Sequence, residues 1–204
     1  LHTAGTPAGV FNMIQGKGSE IGAALSKHED VDMISFTGSE PVGIQIQKDA
    51  ADTVKRVGLE LGGKSAWIIL DDEGFAANVA NATSGMMGNS GQTCSAGSRL
   101  LVPNSRMDEV RKIAAEAANG VTVGDPTGNF AMGPVVSKSQ YNDIQRYIEI
   151  GISEGAELIA GGLGRPEGLD KGWYVKPTVF ITTNDKVVAR DEIFGPVLVI
   201  IGYD

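Results

Sequence analysis

The chain has 204 residues, 42% hydrophobic and 21% charged, the proportions of an ordinary globular protein able to bury a sizeable core. Its formal net charge of −8, without any Lys/Arg-rich run, argues against a nucleic-acid or anionic-membrane surface. One cysteine excludes an internal disulfide and fits a reducing, cytoplasmic compartment, while two distant histidines, His2 and His28, make a structural zinc site improbable.

The chain opens on LHTAG with no basic-then-apolar leader, so nothing points to secretion. Phe11 to Ile14 reads as a short strand running into GKGSEIG, where Gly16, Gly18 and Gly22 open a helix to about His28 with Ser19 as its cap. MISF (33–36) is a strand, and Ser39 caps a second helix to about Ala51, with Glu40 and Pro41 in its first turn. A strand follows from Val54 to Leu61. Strands alternating with helices in this way predict an α/β fold with a parallel sheet. Beyond Gly62, Ser65 to Leu70 reads as a buried strand and Phe75 to Met87 as a helix of small residues. GNSGQTCSAGS (88–98) is loop-like, RLLV a strand, and Ser105 to Asn119 a helix. The clearest helix is Ser137 to Gly155, with Tyr141, Ile144, Ile148 and Ile152 on one stripe. Strand signals recur at 157–160, 173–175, 178–182 and 197–201, and GGLGRPEG (161–168) is an exposed loop. The longest apolar run, VLVII, suits a buried strand rather than a bilayer span of roughly 20 residues. Ending at Asp204 right after that run, the chain is expected to be an internal piece of a longer polypeptide.

GLELGGKS (58–65) has the spelling of a phosphate-binding P-loop, which must open a helix at its Lys-Ser step. Here Lys64-Ser65 leads into AWIIL, whose aromatic and β-branched residues favour a strand. Glu60 would also lie among the phosphates, a repulsion on the order of several kcal/mol at about 4 Å in a partly buried site. The ATP-binding reading is therefore rejected, leaving a carboxylate and a glycine pair at the junction of two βα regions.

Cys94 sits among glycines, hydroxyls and an amide, with no bulky side chain from Gly88 to Ser98. An inert core cysteine has large apolar neighbours; this loop instead exposes backbone N–H groups and lets a substrate approach closely. A nucleophilic thiol needs a lowered pKa or a base, and neither histidine is near in sequence, although a Cys-His hydrolase stays open on spatial grounds.

FTGSEPVG (36–43), LELGGKS (59–65), GQTCSAGSR (91–99) and EIFGPVLVI (192–200), in that order and spacing, resemble the aldehyde dehydrogenase superfamily. VGDP and MGPVVS resemble it too, and the likeness runs across essentially the whole chain. The resemblance implies that residues 1–61 are the later half of a Rossmann-type NAD(P)-binding domain and 62–204 most of an α/β catalytic domain. It makes Cys94 the nucleophile that takes an aldehyde through a thiohemiacetal to a thioester. Glu60 becomes the general base for hydrolysis, a task suited to a buried carboxylate of raised pKa. The Cys94 backbone N–H would hold the oxyanion. Glu192 matches the residue that holds the nicotinamide ribose, and Phe194 the aromatic that positions the ring. Gly38 and Ser39 match residues near the pyrophosphate, Val42 packs on the adenine, and Gly16 and Leu61 fall on the cofactor side. Gln140 aligns loosely with a residue near the nicotinamide ribose. Trp67 and Trp173 are expected in the core. The implied ligands are NAD or NADP and a small aldehyde, in a homo-oligomeric parent, with the piece by itself inactive. A CoA-acylating relative and a non-catalytic binding or folding module are the alternatives; Glu60 favours water over CoA as acceptor.

Overall fold

The computed structural model describes residues 1–204 and divides them into a first unit, Leu1–Gly62, and a second, Gly63–Asp204. In the first, a wide turn over Gly18–Gly22 leads into α1 (Ala23–Lys27), followed by β1 (Met33–Thr37), α2 (Glu40–Ala51) and β2 (Arg56–Glu60). The strands pair in parallel, Ile34 opposite Val57 and Phe36 opposite Leu59. Gly43, Ile46 and Ala50, at helical spacing, form the buried stripe of α2. Lys55 is nearly buried, and its ammonium donates to the His28 carbonyl and to Thr53 Oγ1.

Two expectations fail here. Phe11 to Ile14 forms no strand, and its apolar side chains are exposed, because no strand of this chain lies beside it to complete a ladder. Ser19 lies inside the wide turn instead of capping a helix; Lys17 is the residue that precedes it.

The second unit holds a five-stranded sheet in the order β3-β4-β7-β6-β5. Its elements are β3 (Ala66–Ile68), α3 (Phe75–Met86), β4 (Arg99–Pro103), α4 (Met107–Asn119), α5 (Lys138–Ser153), β5 (Glu157–Ala160), β6 (Thr178–Ile181), α6 (Val187–Arg190) and β7 (Val197–Tyr203). All pairings are parallel except that of β5 with β6. The apolar run of β7 is continuous because both faces are covered. Leu198 and Ile200 point into a core with Val79 of α3 and Val110 and Ala114 of α4. Val197 and Val199 point the other way, to Ile144 and Ile148 of α5 and Val188 of α6. No helix is long and apolar enough to cross a membrane.

The expected buried strand at Ser65 to Leu70 shrinks to three exposed residues, because β3 is the sheet's edge; only Ile69 is buried. Trp67 is accordingly a rim residue, 37% exposed, with its indole laid over Gly97 and against Gly85 of α3. Residues 173–175 form no ladder strand, though Trp173 packs beside the second core and tilts against Tyr141 at 6.0 Å. Ile152, the last residue of the expected α5 stripe, is 43% exposed.

Lys64 precedes β3, not a helix, as a strand reading of AWIIL requires. Its ammonium nitrogen is buried without a hydrogen-bond partner. Burial, and next the Arg99 charge, lower its pKa to about 8, against opposing pulls from Asp191 and Glu192. In the unfolded chain the same amine keeps its proton to about 10.4. Between these values the unfolded state binds more protons, so stability rises with pH by up to about 1.4 kcal/mol per unit. Denaturant titrations between pH 8 and 10 should show this rise, and Lys64→Met should flatten it. A second test concerns Val54, which is 89% exposed with a left-handed φ of 53°. That conformation costs a β-branched residue roughly 1–2 kcal/mol. Val54→Asn should stabilise the first unit by about 1 kcal/mol, read as a higher unfolding midpoint in far-UV circular dichroism.

Candidate active site

In the first unit the residues of interest gather where the two parallel strands end, the position at which open α/β sheets hold ligands. β1 passes through Gly38 and Ser39 into α2, and the Gly38 N–H donates to the Glu60 carbonyl at 3.0 Å, closing the two strand ends together. A Cβ on Gly38 would meet the tip of the Phe36 ring, which would have to move to admit it. Ser39 is the N-cap of α2 in extended conformation, but its hydroxyl makes no capping bond. Val42 in the first turn is 46% exposed, and Leu61 is half-buried where a Cβ on Gly43 would meet it. This arrangement suits a diphosphate at a helix N-terminus with an apolar group alongside. Gly16 stands apart, in the turn before α1, where a Cβ would overlap Ile21.

Glu60 ends β2 with its side chain exposed, which corrects the expectation of a buried carboxylate. β2 has one strand neighbour, β1, and Glu60 is its last residue, with nothing in this chain packed over its side chain.

The second unit carries the thiol. After α3 the chain enters a short turn in which Asn89 (φ 50°), Ser90 (φ 55°) and Gly91 (φ 69°) are all left-handed. Three such residues in succession bend the chain sharply and leave Cys94 exposed. The buried Ser90 hydroxyl donates to the Gly133 carbonyl at 2.8 Å, and the Val136 N–H donates to Gln92 Oε1 at 2.9 Å. Asn89 Nδ2 donates to the Gln92 carbonyl at 2.9 Å, tightening the turn.

Facing this loop is the segment before β7. A Cβ on Gly91 would overlap the Gly195 carbonyl, so at this point the two loops meet backbone to backbone. Glu192 is half-buried and accepts from the Gly63 N–H at 3.1 Å. A Cβ on that same Gly63 would come within 3.1 Å of the Cys94 carbonyl. Phe194 is 38% exposed and left-handed at φ 54°, a strain that large residues keep only where the surroundings hold them. Gln140, in the first turn of α5, supplies that hold: its Nε2 donates to the carbonyls of Ile193 at 3.0 Å and Phe194 at 2.9 Å. A narrow cavity of about 10 Å³ between the loops is lined by Gly63, Lys64, Thr93, Ser98, Glu192 and Phe194, among others.

The structure thus brings Cys94, Glu192 and Phe194 together in one unit, and Gly38, Ser39, Val42, Glu60 and Leu61 at the strand ends of the other. Ser90 and Gln92 escaped the sequence reading, which treated the loop as uniformly small and polar. The one available signal was Asn-Ser-Gly, a run of residues that tolerate left-handed backbone. Nothing local announces bonds to partners more than forty positions away.

The aldehyde dehydrogenase family model matches residues 1–204. The chain is 49% identical over 201 residues to a 3-succinoylsemialdehyde-pyridine dehydrogenase of a Pseudomonas species, covering 98% of this chain and 42% of that protein. It is 46% identical over 202 residues to a putative aldehyde dehydrogenase of Staphylococcus epidermidis, again 98% of this chain and 42% of the other. Among solved structures, a mutant of aldehyde dehydrogenase C from Pseudomonas syringae, in complex with NAD+ and octanal, superposes with a TM-score of 0.97 at 46% identity, over 100% of this chain and 42% of that one. The NAD+ complex of a Bacillus cereus aldehyde dehydrogenase gives 0.94 at 44% identity, over 99% and 41%. The chain spans about two-fifths of the length of these relatives. With matches of this extent in both sequence and structure, the chain belongs to the aldehyde dehydrogenase family.

Proposed function

We propose that the polypeptide carrying this chain oxidises an aldehyde to a carboxylic acid with NAD or NADP, and that Cys94 is its nucleophile. The observation that carries this reading is the exposure of Cys94 on a loop of small residues, held by left-handed backbone against the Glu192–Phe194 segment. A thiol so presented can reach a carbonyl carbon, and small neighbours leave room for the substrate. The Cys94 thiolate adds to the aldehyde to form a thiohemiacetal, with the backbone N–H of Cys94 donating to the oxygen that becomes negative.

The residues present fit a dinucleotide. In the first unit Gly38, Ser39 and Val42 offer a helix N-terminus with an adjacent apolar surface, and by resemblance Gly16 and Leu61 contact the cofactor too; in the second, by the same resemblance, Glu192 and Phe194 take the nicotinamide ribose and ring. When bound, the dinucleotide supplies the hydride acceptor that takes the Cys94 adduct to the thioester level. Glu60 takes a proton from the water that releases the acid and restores the thiol. A carboxylate in that role favours hydrolysis over transfer to CoA. The parent is expected to be a homo-oligomer. The aldehyde found with the Pseudomonas syringae relative, octanal, makes a medium-chain aliphatic aldehyde a sensible first substrate to assay.

In the full-length polypeptide, Cys94→Ser should abolish NAD-dependent aldehyde oxidation. Glu60→Gln should spare the first stoichiometric burst of NADH while slowing later turnover by about 10²-fold or more, the usual contribution of a general base. Stopped-flow absorbance at the NADH band separates the two phases. Full activity in Cys94→Ser would refute the nucleophile, and unchanged steady-state turnover in Glu60→Gln would remove the base.

A further inference from the structure

The segment 133–140 reaches both loops of the candidate site. At its start, the Gly133 carbonyl accepts from Ser90 and the Val136 N–H donates to Gln92. At its end, Gln140 donates to the carbonyls of Ile193 and Phe194. The segment is itself anchored, since the Val135 side chain is buried and its N–H donates to the Trp173 carbonyl at 2.9 Å. Ser137 accepts from the Gln140 N–H at 3.2 Å as the cap of α5. One short stretch therefore holds the turn ahead of Cys94 and the turn at Phe194, the two places in this unit where non-glycine residues are left-handed.

Gln92 is the pivot on the thiol side. Its Oε1 accepts from Val136, its Nε2 donates to the Asn89 carbonyl at 3.2 Å, and its own carbonyl accepts from Asn89 Nδ2. The Gln92 N–H also donates to the Asn89 carbonyl, at 3.1 Å. The two side-chain amides thus clasp the strained turn and fasten it to the support, two residues before the thiol. Contacts of this kind offset the strain of consecutive left-handed non-glycine residues.

We propose that Gln92 is a positioning residue for Cys94, and that segment 133–140 is the common support that fixes the Cys94 loop and the Glu192–Phe194 loop in one mutual register. This rests on the reading of Cys94 as nucleophile. Gln92 touches no reacting atom; it acts by where it holds the thiol. Displacement of a reacting group by about 1 Å costs on the order of 10²-fold in rate.

The test uses the full-length polypeptide, with octanal and NAD. Gln92→Ala should lower kcat roughly 10- to 100-fold while KM for octanal changes only a few-fold. Gln92→Glu, which keeps an acceptor oxygen for the Val136 N–H, should recover most of the loss. Asn89→Gly keeps the left-handed backbone available, so folding is not threatened, yet deletes the amide that donates to Gln92; it should lower kcat about 10-fold. Amide hydrogen exchange should accelerate at residues 193–195 as well as 89–95 in Gln92→Ala. Unchanged kcat in both Gln92→Ala and Asn89→Gly overturns the proposal, as does an equal loss in Gln92→Glu and Gln92→Ala. Exchange that rises around 89–95 alone overturns the common support. Cys94→Ser separates the two readings: if it is active, the nucleophile assignment has failed, whereas an inert Cys94→Ser beside a fully active Gln92→Ala defeats the positioning role alone.

Discussion

Burial of β7 on both faces is the constraint from which the second unit follows. Val197 to Ile200 are wholly removed from water, alternately against α3 and α4 and against α5 and α6. Fully burying side chains of this size is worth roughly 1.5–3 kcal/mol each. A strand fixed on two sides cannot shift register without turning every one of its side chains into the wrong layer. The segment that leads into it, from Glu192 to Pro196, therefore begins from a fixed point, and so does the Ser98 end of the thiol loop, whose carbonyl accepts from the Val199 N–H at 3.0 Å.

What happens at the site is a compromise between that rigidity and the demands of access. Cys94 and Phe194 have to be reachable, so neither can be held by packing of its own side chain. Both loops are held by hydrogen bonds instead: the Cys94 loop through its own Asn89, Ser90 and Gln92 side chains, and the Phe194 turn through its backbone carbonyls, which accept from Gln140. The glycines complete this: Gly91 lies against the Gly195 carbonyl, and Gly63 lies against Cys94 while bonding Glu192, contacts that any Cβ would prevent or strain.

Much of this was legible in the residues. The unbroken run VLVII signals a strand covered on both faces, and the Ile144–Ile148 spacing signals a helix with one buried stripe. The loop around Cys94 stands out because it lacks large side chains where a core cysteine would have them. The misreadings share a cause. Phe11 to Ile14 and Ser65 to Leu70 have strand composition, but a strand needs a partner to pair with and layers on its faces to bury it, and composition reports neither. The exposure of Glu60 is likewise set by what covers the end of β2. The Gln92 and Gln140 bonds join residues 44, 53 and 54 positions apart, a separation at which no periodicity survives.

The placement of the aromatic side chains has a practical consequence. The chain has two tryptophans, and both belong to the second unit. Trp67 lies on the sheet edge against Gly97 and α3, whereas Trp173 sits beside the α5 layer with Arg165 stacked over it at 5.4 Å. Indole emission therefore offers one reporter for each side of the sheet, separable by replacing either residue. The first unit contributes no indole signal, and its melting would pass unseen in a fluorescence experiment that appeared to follow the whole chain.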